Sequence, residues 1–199
     1  MRWPGTTVET CPHYLALDDQ AAARIGPDAQ CCPPVRDEHN RLSMVRAALD
    51  GRIDTIASDH SPCPPEEKEG DAPFAGVSGV QTTLSVLLTL DLPPAVLDRL
   101  RTAAAGLCAL AGKGALAVGA DADVALVDLA ATWTVGPDTL QTRHRRSPFT
   151  GRVLPGVVRA TLVRGEIAYE DGAPAGEPIG RFVAPGTLAR STRLVGVAR

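Results

Sequence analysis

A short apolar run that stops abruptly on an acid and an imidazole constrains this chain more than any other feature. Residues 53–57, Ile53-Asp54-Thr55-Ile56-Ala57, follow Gly51 and lead straight into Ser58-Asp59-His60-Ser61-Pro62-Cys63-Pro64. A partly β-branched run of that length, bounded by glycine and proline, reads as a buried strand. In parallel sheets the carboxyl ends of the strands carry the chemistry, because the loops there gather side chains from several strands around one crevice. Asp59 is therefore the foremost candidate for a functional residue. A structural reading competes with it, since an Asp ahead of Ser-Pro is also a common loop opener.

The segment before this strand has the form of a crossover unit. Residues 6–11 have strand composition and break at Pro12-His13-Tyr14, with Asp18 and Asp19 placed to cap a short helix over 21–25 that Gly26-Pro27 stops. Pro33-Pro34 fix an extended loop that holds Cys32 rigidly. Leu42, Met44, Val45 and Leu49 recur at near-helical intervals across residues 37–50, and Gly51 ends the helix they predict. Strand, loop, helix, strand is the right-handed unit of a parallel sheet.

Beyond Asp59, the run Glu66, Glu67, Lys68, Glu69 and Asp71 predicts a solvated, mobile loop over 62–73. Gly76 and Gly79 let the backbone approach whatever occupies the crevice. Residues 82–90 are apolar nearly throughout and read as a helix buried against the sheet, and Pro93-Pro94 opens another over 95–110. From Gly114 the character turns to β, with runs at 122–128 and 161–169 separated by Gly/Pro turns. The predicted boundary lies near Gly112: residues 1–112 α/β, 113–180 a small β-sandwich module, 181–199 a poorly ordered tail. Arg143-His144-Arg145-Arg146 between the two β runs reads as a solvated turn rather than an anion site.

Composition removes several classes of function. A net charge of −3 offers no basic stripe for phosphates, and 4% aromatic residues offer no stacking platform, so nucleic acid is not an expected partner. No apolar run reaches membrane length and the start lacks a signal-like stretch, so a cytoplasmic location with no membrane contact is expected. Five cysteines, an odd number with Cys31 and Cys32 adjacent, argue for thiols rather than a disulfide framework.

Four ordered motifs carry a resemblance. Glu9-Thr10-Cys11-Pro12-His13-Tyr14, Cys31-Cys32-Pro33-Pro34-Val35-Arg36-Asp37, Ser58-Asp59-His60-Ser61-Pro62-Cys63-Pro64 and Gly119-Ala120-Asp121-Ala122-Asp123-Val124 stand in this order, and over residues 6–163 the chain resembles the cyclic amidohydrolases. Within them it is most similar to the allantoinases. Dihydroorotases typically carry Asn where this chain has Cys32 and His where it has Cys63.

The resemblance implies the C-terminal part of a (β/α)8 barrel, its last two strand–helix units, followed by a β-sandwich module. It implies a two-metal site, of divalent metal and by expectation zinc, that activates water against a cyclic amide such as allantoin, giving allantoate. It also implies homo-oligomers and a small cyclic ureide as substrate. Asp59 matches the family's aspartate, both metal ligand and proton shuttle. Cys32, Cys63 and Gln81 sit where the family shapes its substrate pocket, and His13 and His60 are expected to support the site without binding metal. The family's other ligands, a His-x-His, a carboxylated lysine and two further histidines, match segments ahead of residue 6, as though this chain began in mid-barrel. A non-catalytic homologue and a hydantoinase-like or dihydroorotase-like cyclic amidase remain as alternatives. Cys11, His13, Cys31, Cys32, Asp59, His60 and Cys63 form a plausible zinc set by residue type, but no paired short spacing of a structural zinc module is present, and a cluster of pocket-lining thiols is the favoured reading.

Overall fold

The computed structural model describes residues 5–186. The chain divides into two compact units, Met1–Leu100 with Val127–Val158, and Arg101–Leu126 with Arg159–Arg199. The boundary expected near Gly112 falls inside the second unit.

In the first unit, strands β1 (Glu9–Thr10) and β2 (Thr55–Ile56) pair in parallel, Glu9 opposite Thr55 and Thr10 opposite Ile56. The ladder extends past the strands proper, since Asp54 N–H donates to Val8 O at 2.8 Å and Ala57 N–H to Thr10 O at 3.0 Å. Both expected strands are therefore present and parallel, though shorter than their apolar runs.

Where the sequence reading broke the chain at Pro12, the structure continues into a helix, α1 (Pro12–Ala16). Proline is at home in a first turn, where its missing N–H would have had no partner. Helices α2 (Asp19–Ile25) and α3 (Glu38–Leu49) start as expected: Asp18 Oδ1 accepts from Ala21 N–H at 2.6 Å and Asp37 Oδ1 from Asn40 N–H at 2.8 Å. Each cap satisfies an otherwise orphaned helix N–H, worth about 1 kcal/mol. Gly26 and Gly51, both at positive φ, end them.

Of the apolar residues whose spacing predicts α3, Met44 and Val45 pack inward with Ala48, whereas Leu42 and Leu49 are 41% and 46% exposed. Residues 83–88 form α4 (Thr83–Leu88), buried as predicted at Val86 and Leu87. Two apolar clusters fill this unit. One joins Leu15, Ala48, Ile53, Ile56, Leu87, Leu92 and Val96, the other Leu17, Ala29, Val86, Val135, Leu140, Phe149 and Leu154. Each large buried aliphatic or aromatic side chain contributes on the order of 1.5–3 kcal/mol.

Two charged loops of this unit are held more firmly than the sequence reading anticipated. The charged loop is not simply solvated: Pro65–Lys68 coil into a 3-10 turn and Lys68 is buried, 6% exposed, with Nζ donating to Pro27 O, Phe74 O and Gly76 O at 2.9, 2.8 and 2.7 Å. A lysine at that depth is tolerated because every ammonium N–H meets a carbonyl. The basic turn keeps Arg143 and Arg145 exposed, while Arg146 Nε donates to Asp28 Oδ1 at 2.9 Å. Gly76, meanwhile, lies close against the carbonyl of Ser61 and the Phe74 ring, so what its missing side chain admits is the chain's own loop.

The predicted helix over 95–110 is present as one continuous helical run that carries a π-type segment in its middle. It runs as α5 (Pro94–Asp98), a π-type stretch (Arg99–Ala103) and α6 (Ala104–Leu107). The β-rich half holds a sheet in the order β3 (Val124–Thr134), β4 (Val153–Val163), β5 (Glu166–Glu170), β6 (Ala173–Pro174). The run at 161–169 is a hairpin rather than one strand. Arg164 (φ 52°) and Gly165 (φ 83°) turn it, and Asp171 (φ 43°) and Gly172 (φ 94°) turn the next, two left-handed residues in a row matching the twist that two-residue hairpin loops require. In the second unit Lys113 Nζ bridges Asp121 and Asp123 at 2.7 and 2.5 Å, raising the lysine and holding the Asp123 carboxyl below its usual range, each chiefly through its hydrogen bond to the other side. Of the tail expected beyond residue 180, residues 187–199 lie outside the described residues.

Candidate functional site

Parallel pairing brings the carboxyl ends of β1 and β2 side by side, and three side chains meet there. Cys11 is the residue that leaves β1 and precedes α1; its thiol makes no capping bond. His13 lies in the first turn of α1, and Asp59 follows β2 with a left-handed backbone, φ 47°. That conformation is uncommon for a side chain other than Gly or Asn/Asp. One atom each of Cys11, His13 and Asp59 lie within 4.8 Å of one another. His13 Nε2 is 3.9 Å from Asp59 Oδ2, with the imidazole 2% and the carboxylate 50% exposed. Nε2 is buried and has no hydrogen-bond partner. A buried polar atom without a partner costs about 1–3 kcal/mol, so native chains retain few of them.

The electrostatics of the cluster follow from burial beside a carboxylate. Burial pulls the His13 pKa down and Asp59 pulls it back up, with burial prevailing. Burial, then Asp59, Glu9 and Cys31, push the Cys11 thiol up to about 12. Cys31 is raised by burial against opposing hydrogen bonds from Tyr14 and the Val35 backbone, and Tyr14 is raised chiefly by burial. At neutral pH the carboxylate thus faces a neutral imidazole and protonated thiols. The Tyr14 hydroxyl donates to Pro33 O at 2.6 Å and its ring packs 4.3 Å from that of His13, which fixes the imidazole from one side.

A cavity of about 470 Å³ opens at these strand ends, lined among others by Glu9, Cys11, Tyr14, Cys32, Arg36 and Asp59. Its volume is in the range of small-ligand sites. Of the residues singled out from sequence, Asp59 and Cys32 therefore share one cavity. Cys63 and Gln81 do not line it. Cys63 is buried, and Gln81 has both ends of its amide engaged, Nε2 donating to Thr139 O at 2.8 Å and Oε1 accepting from Gln141 N–H at 2.7 Å. His60 accepts at Nδ1 from the N–H groups of Gly79 and Val80 at 3.2 and 3.4 Å, so a proton on its neutral ring sits on Nε2, and burial lowers its pKa. It holds the 79–80 backbone rather than Asp59.

Sequence reasoning grouped Cys11, His13 and Asp59 with Cys31, Cys32, His60 and Cys63 near neighbouring strand ends but did not single out the three that meet. The available signal was Cys11-Pro12: a proline directly after the strand starts a helix there and turns His13 back over the strand end.

The chain matches no protein-family model. It is similar to the allantoinase of Rubrobacter xylanophilus, 42% identical over 188 residues that cover 90% of this chain and 41% of that protein. The allantoinase of Deinococcus radiodurans is 41% identical over 92% of the chain and 42% of its own length. Among solved structures, the L-hydantoinase (dihydropyrimidinase) of Arthrobacter aurescens superposes with a TM-score of 0.82 at 31% identity, over 89% of this chain and 42% of that one. The chain thus spans about two-fifths of the length of the relatives it matches. The kinship read from the four motifs holds.

Proposed function

We propose, with the allantoinases and hydantoinases as its relatives, that this chain is the C-terminal part of a cyclic amidohydrolase. It would supply the last two strand–helix units of a (β/α)8 barrel and a β-sandwich module to an enzyme that opens allantoin hydrolytically to allantoate. One observation carries the reading: Asp59 stands at the carboxyl end of a parallel strand, half exposed, at the mouth of a 470 Å³ cavity.

The two-metal centre implied by the resemblance does not fit the described residues alone. Three donor atoms within 4.8 Å, one of them a thiol, are too few for two cations. Asp59 itself suits the task of holding one of them. In a complete site a divalent metal, zinc by expectation, held in part by Asp59, would supply Lewis-acid polarisation of the amide carbonyl and an acidified water.

The chain's own part is proton handling and shape. Asp59 accepts the nucleophile's proton at a carboxylate oxygen and returns one to the departing ring nitrogen. Its exposed half faces the cavity, and the buried His13 imidazole at 3.9 Å limits how far it can swing. Cys32 lines the same cavity and sets its size on one side; for Cys63 and Gln81 a pocket role rests on the motifs alone.

The likeness to hydantoinases favours a second reading, a cyclic amidase of wider range. A panel of allantoin, hydantoin and dihydroorotate separates the two. The purified chain is expected to form no allantoate by itself. Co-expression with the complementary amino-terminal part of the Rubrobacter relative is expected to restore turnover, and Asp59→Asn to abolish it by about 10³-fold or more. Metal-dependent turnover by the chain alone, or full activity of the Asn variant, would overturn the reading.

A further inference from the structure

We infer that Cys11, His13 and Asp59 form a mononuclear binding site for a zinc-class divalent cation in this chain itself, one that shares only Asp59 with the two-metal centre and needs none of that centre's other ligands. The inference rests on the placement of Asp59 but not on the hydrolytic reading above.

Three independent features converge. The donors come from both strand ends: Cys11 directly after β1, His13 two residues on, and Asp59 after β2, all within 4.8 Å. The imidazole is 1% exposed and its Nε2, which has no hydrogen-bond partner, is the very atom that faces Asp59 Oδ2. A cation between them would satisfy that atom. The backbone of Asp59, held left-handed, is what turns its carboxylate back toward the end of β1.

Distances decide whether the cluster can close on an ion. Zinc–nitrogen and zinc–oxygen bonds of about 2.0 Å at the tetrahedral angle put N and O about 3.3 Å apart, and a zinc–sulfur bond of about 2.3 Å puts S about 3.5 Å from either. The observed 3.9 Å between Nε2 and Oδ2, and the 4.8 Å limit for the set, exceed these by roughly 0.6 to 1.3 Å. Rotation of the half-exposed Asp59 carboxylate can close the roughly 0.6 Å excess to His13 Nε2, and side-chain adjustment of Cys11 takes up the rest.

Donor chemistry selects the ion. Thiolate and imidazole disfavour magnesium and calcium, which take oxygen ligands, and favour zinc, cobalt or cadmium. Three protein donors leave a fourth position, and Cys11 and Asp59 both line the cavity into which it would open. Binding forms the metal–sulfur bond and releases the Cys11 proton to solvent. Cys31, Cys32, Cys63 and His60 are not in the set, so the wider thiol cluster reduces to one cysteine.

The test is a titration of the full 199-residue chain with cobalt(II), followed by absorption spectroscopy, then displacement by zinc. A thiolate-to-cobalt charge-transfer band and tetrahedral d–d bands are expected to saturate at one equivalent. Cys11→Ser should remove the charge-transfer band and Cys108→Ser should leave it intact. Partners of metal ligands are each worth about 10–100-fold in affinity, and a ligand at least as much, so His13→Gln and Asp59→Asn should each weaken binding by about tenfold or more. Should a variant fail to fold, the unaltered chain still decides: X-ray absorption of the zinc-loaded chain should show a shell of one sulfur at about 2.3 Å with nitrogen or oxygen at about 2.0 Å. No cobalt thiolate band, a band that survives Cys11→Ser, or a zinc shell with no sulfur or with more than one would each overturn the assignment. Failure here leaves the complementation assay standing, and failure of complementation leaves this titration standing.

Discussion

Lys68 and His13 are both buried polar side chains of the first unit, and they are treated in opposite ways. Lys68 has three N–H groups and three carbonyl acceptors at 2.7–2.9 Å from two separate stretches of backbone, one at Pro27 and one at Phe74 and Gly76. Burial lowers its proton affinity, yet the ring of carbonyls leaves the ammonium fully paired. His13 is more deeply buried, and its Nε2 has no partner. A saturated group serves as a clamp, here between the turn at Gly26–Ala29 and the loop around Phe74. An unsaturated one at a strand end keeps bonding capacity for something the chain itself does not provide. The difference separates polar residues buried for stability from those buried for chemistry.

The largest expected effect is at the clamp. Lys68→Met strips three carbonyls of their donor and should lower unfolding free energy by about 2–4 kcal/mol, measured by urea denaturation of the whole chain. A loss below about 0.5 kcal/mol would put Lys68 among ordinary surface residues and break the contrast. His13→Leu, by comparison, removes an unpaired polar atom and should change stability by less than about 1 kcal/mol, while ending cobalt binding. A cost equal to that of Lys68→Met would mean that His13 is structural after all.

Cys31 offers an intermediate case, a buried thiol whose Sγ donates to Pro33 O at 3.3 Å and is also approached by Tyr14 and the Val35 backbone. Its pKa is raised in the folded chain from an ordinary 9.0. Below pH 9.0 both states keep the proton and the contribution to stability is complete; as pH climbs beyond it, the unfolded chain ionises first and stability falls. Melting temperature should therefore drop on the alkaline side, and Cys31→Ser should flatten that drop. An unchanged alkaline limb would show that the thiol is not held away from water. Gly165→Ala, in a hairpin of the second unit, sets the scale of a purely backbone penalty: about 1 kcal/mol for forcing a side chain to φ 83°. A neutral result would mean that this turn tolerates another geometry.

How much was legible in advance depended on the range of the interaction. Asp18 and Asp37 cap their helices through bonds to residues three positions on, so sequence alone located α2 and α3. The run 53–57 and its carboxyl-terminal acid were visible because strand burial and chain punctuation are local patterns. The middle of the 95–110 helix was not, and nothing in its composition explains the π-type stretch at Arg99–Ala103. Lys68 stood in a run of charges, and only the carbonyls of Pro27, Phe74 and Gly76 converging from elsewhere turned it into a core residue. What engages the Gln81 amide was equally hidden, since its partners are the backbone at Thr139 and Gln141, far along the chain.

What the sequence determined by itself was an acid at the end of a strand, in a chain with the motifs of a cyclic amidohydrolase, because strand periodicity, prolines and glycines act over a few residues. What only the tertiary structure decided was which side chains that acid meets. Cys11 and Asp59 are 48 positions apart in the chain and are brought within reach by the parallel register of β1 and β2. Register is a property of two strands packed on one core and is written in neither strand alone.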